Sequence, residues 1–200
     1  FGEILVKRQI SWQDVTHEQC QQICKQIIKT IAPKLQNEIL LSSNRYRHLL
    51  QRIEQLSIDS LMRLVEFAKH SEFSPKALEQ DFGANSSMPP LLFTDEDNHK
   101  IEIIGQIDRI DFNDNYYLVI DYKSGNAFIN LLQVYYGLKL QLLTYLLVAQ
   151  NTTLQLYNME NAIPAGILYC FLKTPVITGT NKLSVQQIKT EIEKKMRMPG

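Results

Sequence analysis

Asp108, Asp121 and Lys123 are the residues whose types and spacing could do chemistry. Asp108 lies in the apolar run "IIGQIDRID", and Asp121 and Lys123 lie in "YYLVIDYKSG", thirteen residues further on, with the hydrophilic turn "NDN" between. If the two runs form a hairpin, that separation brings both carboxylates to one place. Side chains alternate along a strand, so Asp121 and Lys123 share a face while Tyr122 points away from it. Two hard oxygen donors suit a divalent cation such as Mg²⁺. Such an ion can withdraw charge from a phosphodiester and lower the pKa of an attacking water, and a neighbouring lysine can orient that water or neutralise developing charge. Taken alone, Asp-x-Lys is a weak motif and reads first as an ion pair, Asp121 to Lys123, closing a strand.

Three neighbours add weight to the chemical reading. A carboxylate inside the apolar run around Asp108 is costly to bury without a cation. In "LQLLTYL", Gln141 and Tyr145 stand at i, i+4 on one face of an otherwise apolar helix. They read either as an internally satisfied polar pair or as a pair able to hydrogen-bond a phosphate. Ser124-Gly125, directly after Lys123, makes a tight turn that lets a substrate backbone come close.

The elements that must position these residues follow from the rest of the chain. "VTHEQCQQICKQII" opens on Thr16 with Gln19 three residues on, a capping box, and then sets Cys20, Ile23, Cys24, Ile27 and Ile31 at helical spacing up to Pro33. A second helical series runs from Asn44 to about Lys69, with Arg45, Arg47, Arg52 and Arg63 off its apolar face. After Ser74-Pro75 the pattern becomes extended. "KALEQDFG" predicts a strand, and "PLLFTDEDNHKIEIIGQIDRIDF" predicts two strands joined by an acidic turn. "YYLVIDYKSG" predicts a further strand and "IPAGILYCFLK" a later one. One long apolar helix is expected over about 130–150, and a closing helix with a Ser184/Gln187 capping box in "SVQQIKTEIEKKM". The order implies a mixed α/β domain, a small sheet with extra helices in front.

Composition bounds the class. The chain has 200 residues, 44% hydrophobic and 21% charged, with a formal net charge of zero, which suits one compact domain. It starts at Phe1, which reads as a piece of a longer protein. The longest apolar run, "LLTYLLVA", is too short to span a bilayer and no basic-then-apolar leader is present, so no membrane association and a cytoplasmic location are expected. Three cysteines, Cys20, Cys24 and Cys170, do not make a disulfide framework and read as apolar thiols. Charge is unevenly spread: from Glu72 to Asp121 there are eleven acids against three bases, a balance of −8. An acidic middle between basic flanks suits a metal site beside a phosphate-binding surface.

The ordered series "GQIDRID", "YYLVIDYKSG", "VYYGLKLQLLTYL" and "PAGILYCFLKTP" resembles the RecB-like branch of the PD-(D/E)xK nuclease superfamily, and within it the nuclease domain of AddB/RexB-type subunits of bacterial helicase–nucleases. The likeness covers roughly residues 79–175. It implies a restriction-endonuclease-like α/β core over 74–200 with a helical part over 1–73, together one nuclease domain. It implies metal-dependent DNA cleavage, exonucleolytic, inside an ATP-dependent helicase–nuclease serving double-strand break repair by recombination. The implied partners are DNA and an AddA/RexA-type subunit. The alternative is a nuclease-fold module that no longer cuts and serves in DNA binding or subunit docking. Matched residue by residue, the resemblance makes Asp108 and Asp121 ligands of Mg²⁺ or Mn²⁺, with the Tyr122 carbonyl a further ligand. Lys123 becomes the catalytic lysine, and Gln141 and Tyr145 the pair near the substrate strand.

Two departures accompany it. The family's early histidine ligand would fall just before Phe1, with "FGEIL" the end of its helix, and His17 reads as a helix-cap residue. Only Cys170 follows the core, so no iron–sulphur cluster is expected in this stretch.

Overall fold

The computed structural model describes residues 1–125, 127–157 and 162–172, together with 184, 186–188, 190 and 191. Two compact units are present. The first comprises Phe1–Glu72 with Phe171–Arg197, and the second is built on Phe73–Cys170.

The first unit is helical: α1 (Gly2–Lys7), α2 (His17–Ile31) and α3 (Asn44–Lys69), joined by short 3-10 turns. The expected capping box forms. Thr16 Oγ1 accepts from the Gln19 amide and the Gln19 side chain accepts from the Thr16 amide, which fixes the start of α2. Cys20, Ile23 and Cys24 then face inward against Ile58 and Val65 of α3 and Leu5 of α1. Both thiols are free and buried, packed as small apolar groups. Helix α2 gives way to a 3-10 turn, Ala32–Lys34, at Pro33, because proline cannot continue the hydrogen-bond ladder. Within "FGEIL", Phe1 is the N-cap and Gly2–Leu5 belong to α1, and His17 is the first residue of α2.

The second unit holds a four-stranded sheet in the order β1 (Ser74–Phe82), β4 (Gly105–Asn113), β5 (Tyr116–Lys123), β6 (Ile163–Phe171). Strands β1, β4 and β5 are antiparallel neighbours, with β4 in the middle. Ile107, Ile110, Val119 and Ile120 are fully buried, as expected for a central pair of strands covered on both faces. Helix α5 (Gln141–Tyr157) packs against β5, burying Leu142, Val148 and Ala149.

Two expectations from the sequence are corrected. The apolar run after the acidic turn is two strands, not one. Among the described residues β3 (Lys100–Ile103) pairs with β2 (Leu91–Thr94) in a separate two-stranded ribbon, and the strand is interrupted at Ile104 before β4 begins at Gly105. The long helix over 130–150 is also two pieces, α4 (Leu131–Tyr135) and α5. Gly137, at φ 72°, ends α4. Its amide donates to the Val134 carbonyl and the Leu138 amide to the Gln133 carbonyl, the paired closing bonds of a left-handed C-cap. Of the closing helix, the Ser184/Gln187 capping box is formed. The predicted stretch beyond residue 191 lies outside the described residues.

Candidate metal centre

The β4–β5 ladder fixes where the two aspartates sit. Arg109 pairs with Ile120, so the next step of the same register sets Asp108 opposite Asp121, and directly opposed residues of an antiparallel pair share a face. There the main-chain ladder hands over to a side chain: Asp108 Oδ2 accepts from the Tyr122 amide at 2.6 Å. Asp108 is therefore clamped to β5 at the level of Asp121.

Asp121 is 1% exposed. Burial pushes its carboxyl pKa up, and nearby Asp108 adds to this, while the Lys123 ammonium opposes it. Lys123 Nζ lies 2.5 Å from Asp121 Oδ2 and donates to Gln141 Oε1 at 2.7 Å. Gln141 Nε2 in turn donates to the Tyr145 hydroxyl oxygen at 2.9 Å. A continuous polar chain thus runs from Asp121 through Lys123 and Gln141 to Tyr145, joining the end of β5 to the first turn of α5. Strand alternation sets the Asp121/Lys123 part of it, and the i, i+4 step of a helix sets the Gln141/Tyr145 part.

Residues not singled out by sequence support this chain. The Tyr145 ring meets Phe82 of β1 edge to face, with centroids 6.1 Å apart, and Lys123 Nζ lies 5.7 Å from the centre of the Tyr169 ring on β6. Nothing local marks Phe82 or Tyr169, since each reaches the site only through sheet pairing.

The opposite face of the same strands is structural. Arg109 and Asp111, both fully buried, form a two-point ion pair at 2.6 Å through Nε and Nη2. Burial opposes the Arg109 charge, but Asp111 more than compensates and raises its pKa. The Tyr122 side chain lies on this face beside Arg109, as strand alternation requires. Its hydroxyl pKa is pushed up to about 12 by burial against the opposing pull of Arg109.

The donor set of Asp108 and Asp121 fits a hard divalent cation. Asp121 Oδ2 is shielded from solvent and has the Lys123 ammonium 2.5 Å away as its counter-charge. Two carboxylates opposed on one face, with a single ammonium between them and solvent, are hard oxygen donors of the kind such an ion takes. A second group, Asp95, Asp97 and His99, gathers its ligating atoms within 4.8 Å in the β2–β3 turn. All three are exposed, and Asp95 is occupied in holding the turn: Oδ1 accepts from the amides of Asp97 and His99, and Oδ2 pairs with His99 Nδ1 at 2.9 Å. This group is accounted for by the hairpin.

A family model for the PD-(D/E)XK nuclease superfamily matches residues 4–197. The chain is 38% identical over 207 residues to an ATP-dependent helicase/deoxyribonuclease subunit of Bacillus cereus (strain G9842), a match that takes in all of this chain and 18% of that protein. It is 36% identical over 204 residues to the subunit of the same name in Clostridium novyi (strain NT), again over all of this chain and 18% of the relative. The likeness to AddB-type subunits carried by the four motifs agrees with these relatives, of whose length the chain spans under a fifth. With a sheet that sets two aspartates and a lysine on one face and a model match over nearly its whole length, the chain belongs to the PD-(D/E)XK nuclease superfamily.

Proposed function

We propose that the chain is a metal-dependent deoxyribonuclease domain that hydrolyses phosphodiester bonds by exonucleolytic cutting. It works inside a cytoplasmic ATP-dependent helicase–nuclease of double-strand break repair by recombination. The observation that carries this reading is the unbroken polar chain Asp121–Lys123–Gln141–Tyr145 beside the clamped Asp108. The name of the relatives, a helicase/deoxyribonuclease subunit, supports DNA as the substrate and a second subunit, of AddA/RexA type, as the partner.

Asp108, Asp121 and the Tyr122 carbonyl would hold Mg²⁺ or Mn²⁺. When bound, such an ion supplies positive charge to the scissile phosphate and lowers the pKa of a bound water. The chain's own groups do the rest. The Tyr122 amide holds Asp108 in place. Lys123, restrained by Asp121 on one side and Gln141 on the other, presents its ammonium where charge develops on the phosphate or where the attacking water must be oriented. Gln141, itself held by Tyr145, fixes Lys123 and offers its amide to the sugar–phosphate backbone. Recognition through backbone contacts gives little sequence preference.

The test uses the holoenzyme. Asp121→Ala and Lys123→Ala are expected to abolish cleavage of linear DNA while ATP-driven unwinding continues, with loss of the Lys123 ammonium costing on the order of 10²–10³ in rate. Cleavage at the parental rate by both variants would sink the assignment. A Mn²⁺ titration by calorimetry separates a cutting domain from a docking module, which has no need of the ion.

A further inference from the structure

We propose that the arginine face at the start of α3, formed by Arg45, His48 and Arg52 around Tyr46 and Leu49, binds the phosphate backbone of single-stranded DNA. The inference rests on the nuclease reading above for the nature of the polyanion. It adds a contact surface in the helical unit, outside the metal centre.

It comes from what the four arginines of α3 do. Arg63 is used within the fold, where its Nη1 donates to the Phe171 carbonyl at 2.9 Å. Arg47 Nε donates to the Leu41 carbonyl at 3.4 Å and ties α3 to the turn before it. Arg45 and Arg52 are exposed, and their guanidiniums make no ion pair or hydrogen bond among the described residues. They stand seven residues apart with His48 and Leu49 between them, the i, i+3, i+4, i+7 spacing of one helix face. Together with Tyr46 these residues line one concavity.

Neither helix stability nor a neighbouring acid accounts for the two free arginines. The first turn of α3 contains no acid, and Arg45 sits in it, where the helix dipole disfavours a cation. From Ile39 to Ile53 the chain has three arginines and a histidine and no acid. A cationic face that the fold leaves uncompensated attracts an anion from outside. Two guanidiniums two turns apart, roughly 10 Å along the axis at 1.5 Å per residue, suit a chain of repeated phosphates better than one small anion. Half-buried Tyr46 and exposed Leu49 give the same concavity an apolar floor on which a sugar or base can lie. Nucleic acid is favoured over an acidic polypeptide because residues 73–170, which carry the metal centre, hold eleven acids against five bases and cannot retain a polyanion by their own charge.

Fluorescence anisotropy of a labelled single-stranded oligonucleotide bound by the holoenzyme tests this, in Ca²⁺ and without ATP, over a range of salt concentrations. The slope of log affinity against log salt counts the phosphates neutralised, at about 0.7 per phosphate for a single strand. Arg45→Gln and Arg52→Gln are each expected to make it shallower by about 0.7, and the double variant by about 1.4. Arg45→Lys combined with Arg52→Lys should keep the parental slope, since the charge is what binds. Exposed helix positions tolerate glutamine, so the circular dichroism of each variant should match the parent. A parental slope in the double glutamine variant overturns the proposal. If that variant also loses a subunit of the holoenzyme on gel filtration, the face docks a protein instead. Because the slope is read without cutting, a parent that binds DNA but never cleaves it sinks the nuclease reading and leaves this comparison standing.

Discussion

At the scale of single residues, the same short stretch of β4 and β5 carries two opposite uses of charge. On one face, Asp108, Asp121 and Lys123 form a partly accessible cluster whose Asp121 is held at a raised pKa. On the other, Arg109 and Asp111 form a two-point ion pair out of water. The two faces should respond differently to mutation. Removing one partner of a fully buried pair strands the other as an uncompensated charge, so Asp111→Ala is expected to lower stability by about 3–5 kcal/mol. Urea denaturation followed by circular dichroism measures this, and a loss below about 1 kcal/mol would show that Arg109 finds compensation elsewhere. Asp121→Asn should instead leave stability in EDTA unchanged or slightly higher, because it removes a carboxylate that the fold disfavours in its charged form.

At the scale of elements, positions that look like punctuation turn out to set the site. Gly105 pairs with Phe82, and a Cβ on Gly105 would stand 2.9 Å from Phe82 Cζ. Phe82 is buried and packs edge to face on Tyr145, so its ring has little room to give way. Gly105→Ala is therefore expected to cost about 1–3 kcal/mol through overpacking. It should also disturb Tyr145, and with it the Gln141–Lys123 contact. The measurement is a paired one, denaturation and cleavage rate, in which Gly105→Ala loses rate beyond the fraction unfolded. Unaltered cleavage in the folded protein would mean that the ring shifts without moving Tyr145. Gly137 plays a comparable part by ending α4, so that α5 can begin again at Gln141, the residue that meets Lys123.

At the scale of the whole molecule, a neutral chain conceals an acidic unit. Residues 73–170 contain eleven acids against five bases, a net charge of −6. A surface of that sign repels nucleic acid, and a cation bound between Asp108 and Asp121 would remove part of the repulsion where the phosphate must enter. Single-stranded DNA is thus expected to bind more tightly in Ca²⁺ than in EDTA, with Ca²⁺ standing in for the catalytic ion. Fluorescence anisotropy of a labelled oligonucleotide reads the difference, and equal affinity in both would place DNA contact away from the acidic unit. Ion binding should also stabilise the fold, by about 2.7 kcal/mol at one hundred times the dissociation constant. Thermal unfolding with Mn²⁺ should show that gain for the parent and lose it for Asp121→Asn. Among the described residues no helix is long and apolar enough to cross a membrane.

What the sequence determined by itself was local. The Thr16 capping box, the helix over Asn44–Lys69, the strand ending at Lys123 and the shared face of Asp121 and Lys123 all follow from patterns a few residues long. A C-cap glycine was equally readable in "VYYGLKL", yet the apolar run around it masked the break between α4 and α5, since apolar periodicity alone does not register a left-handed residue. The break at Ile104 left no comparable mark, because β3 and β4 are separated by which partner each strand finds. Tertiary structure alone decided the pairing that sets β4 between β1 and β5, and the return of α5 that brings Gln141 to Lys123. The physical reason is that alternation and capping are written in neighbouring residues. Register is a choice among pairings of distant segments, settled by which one buries the apolar faces and satisfies the polar groups together.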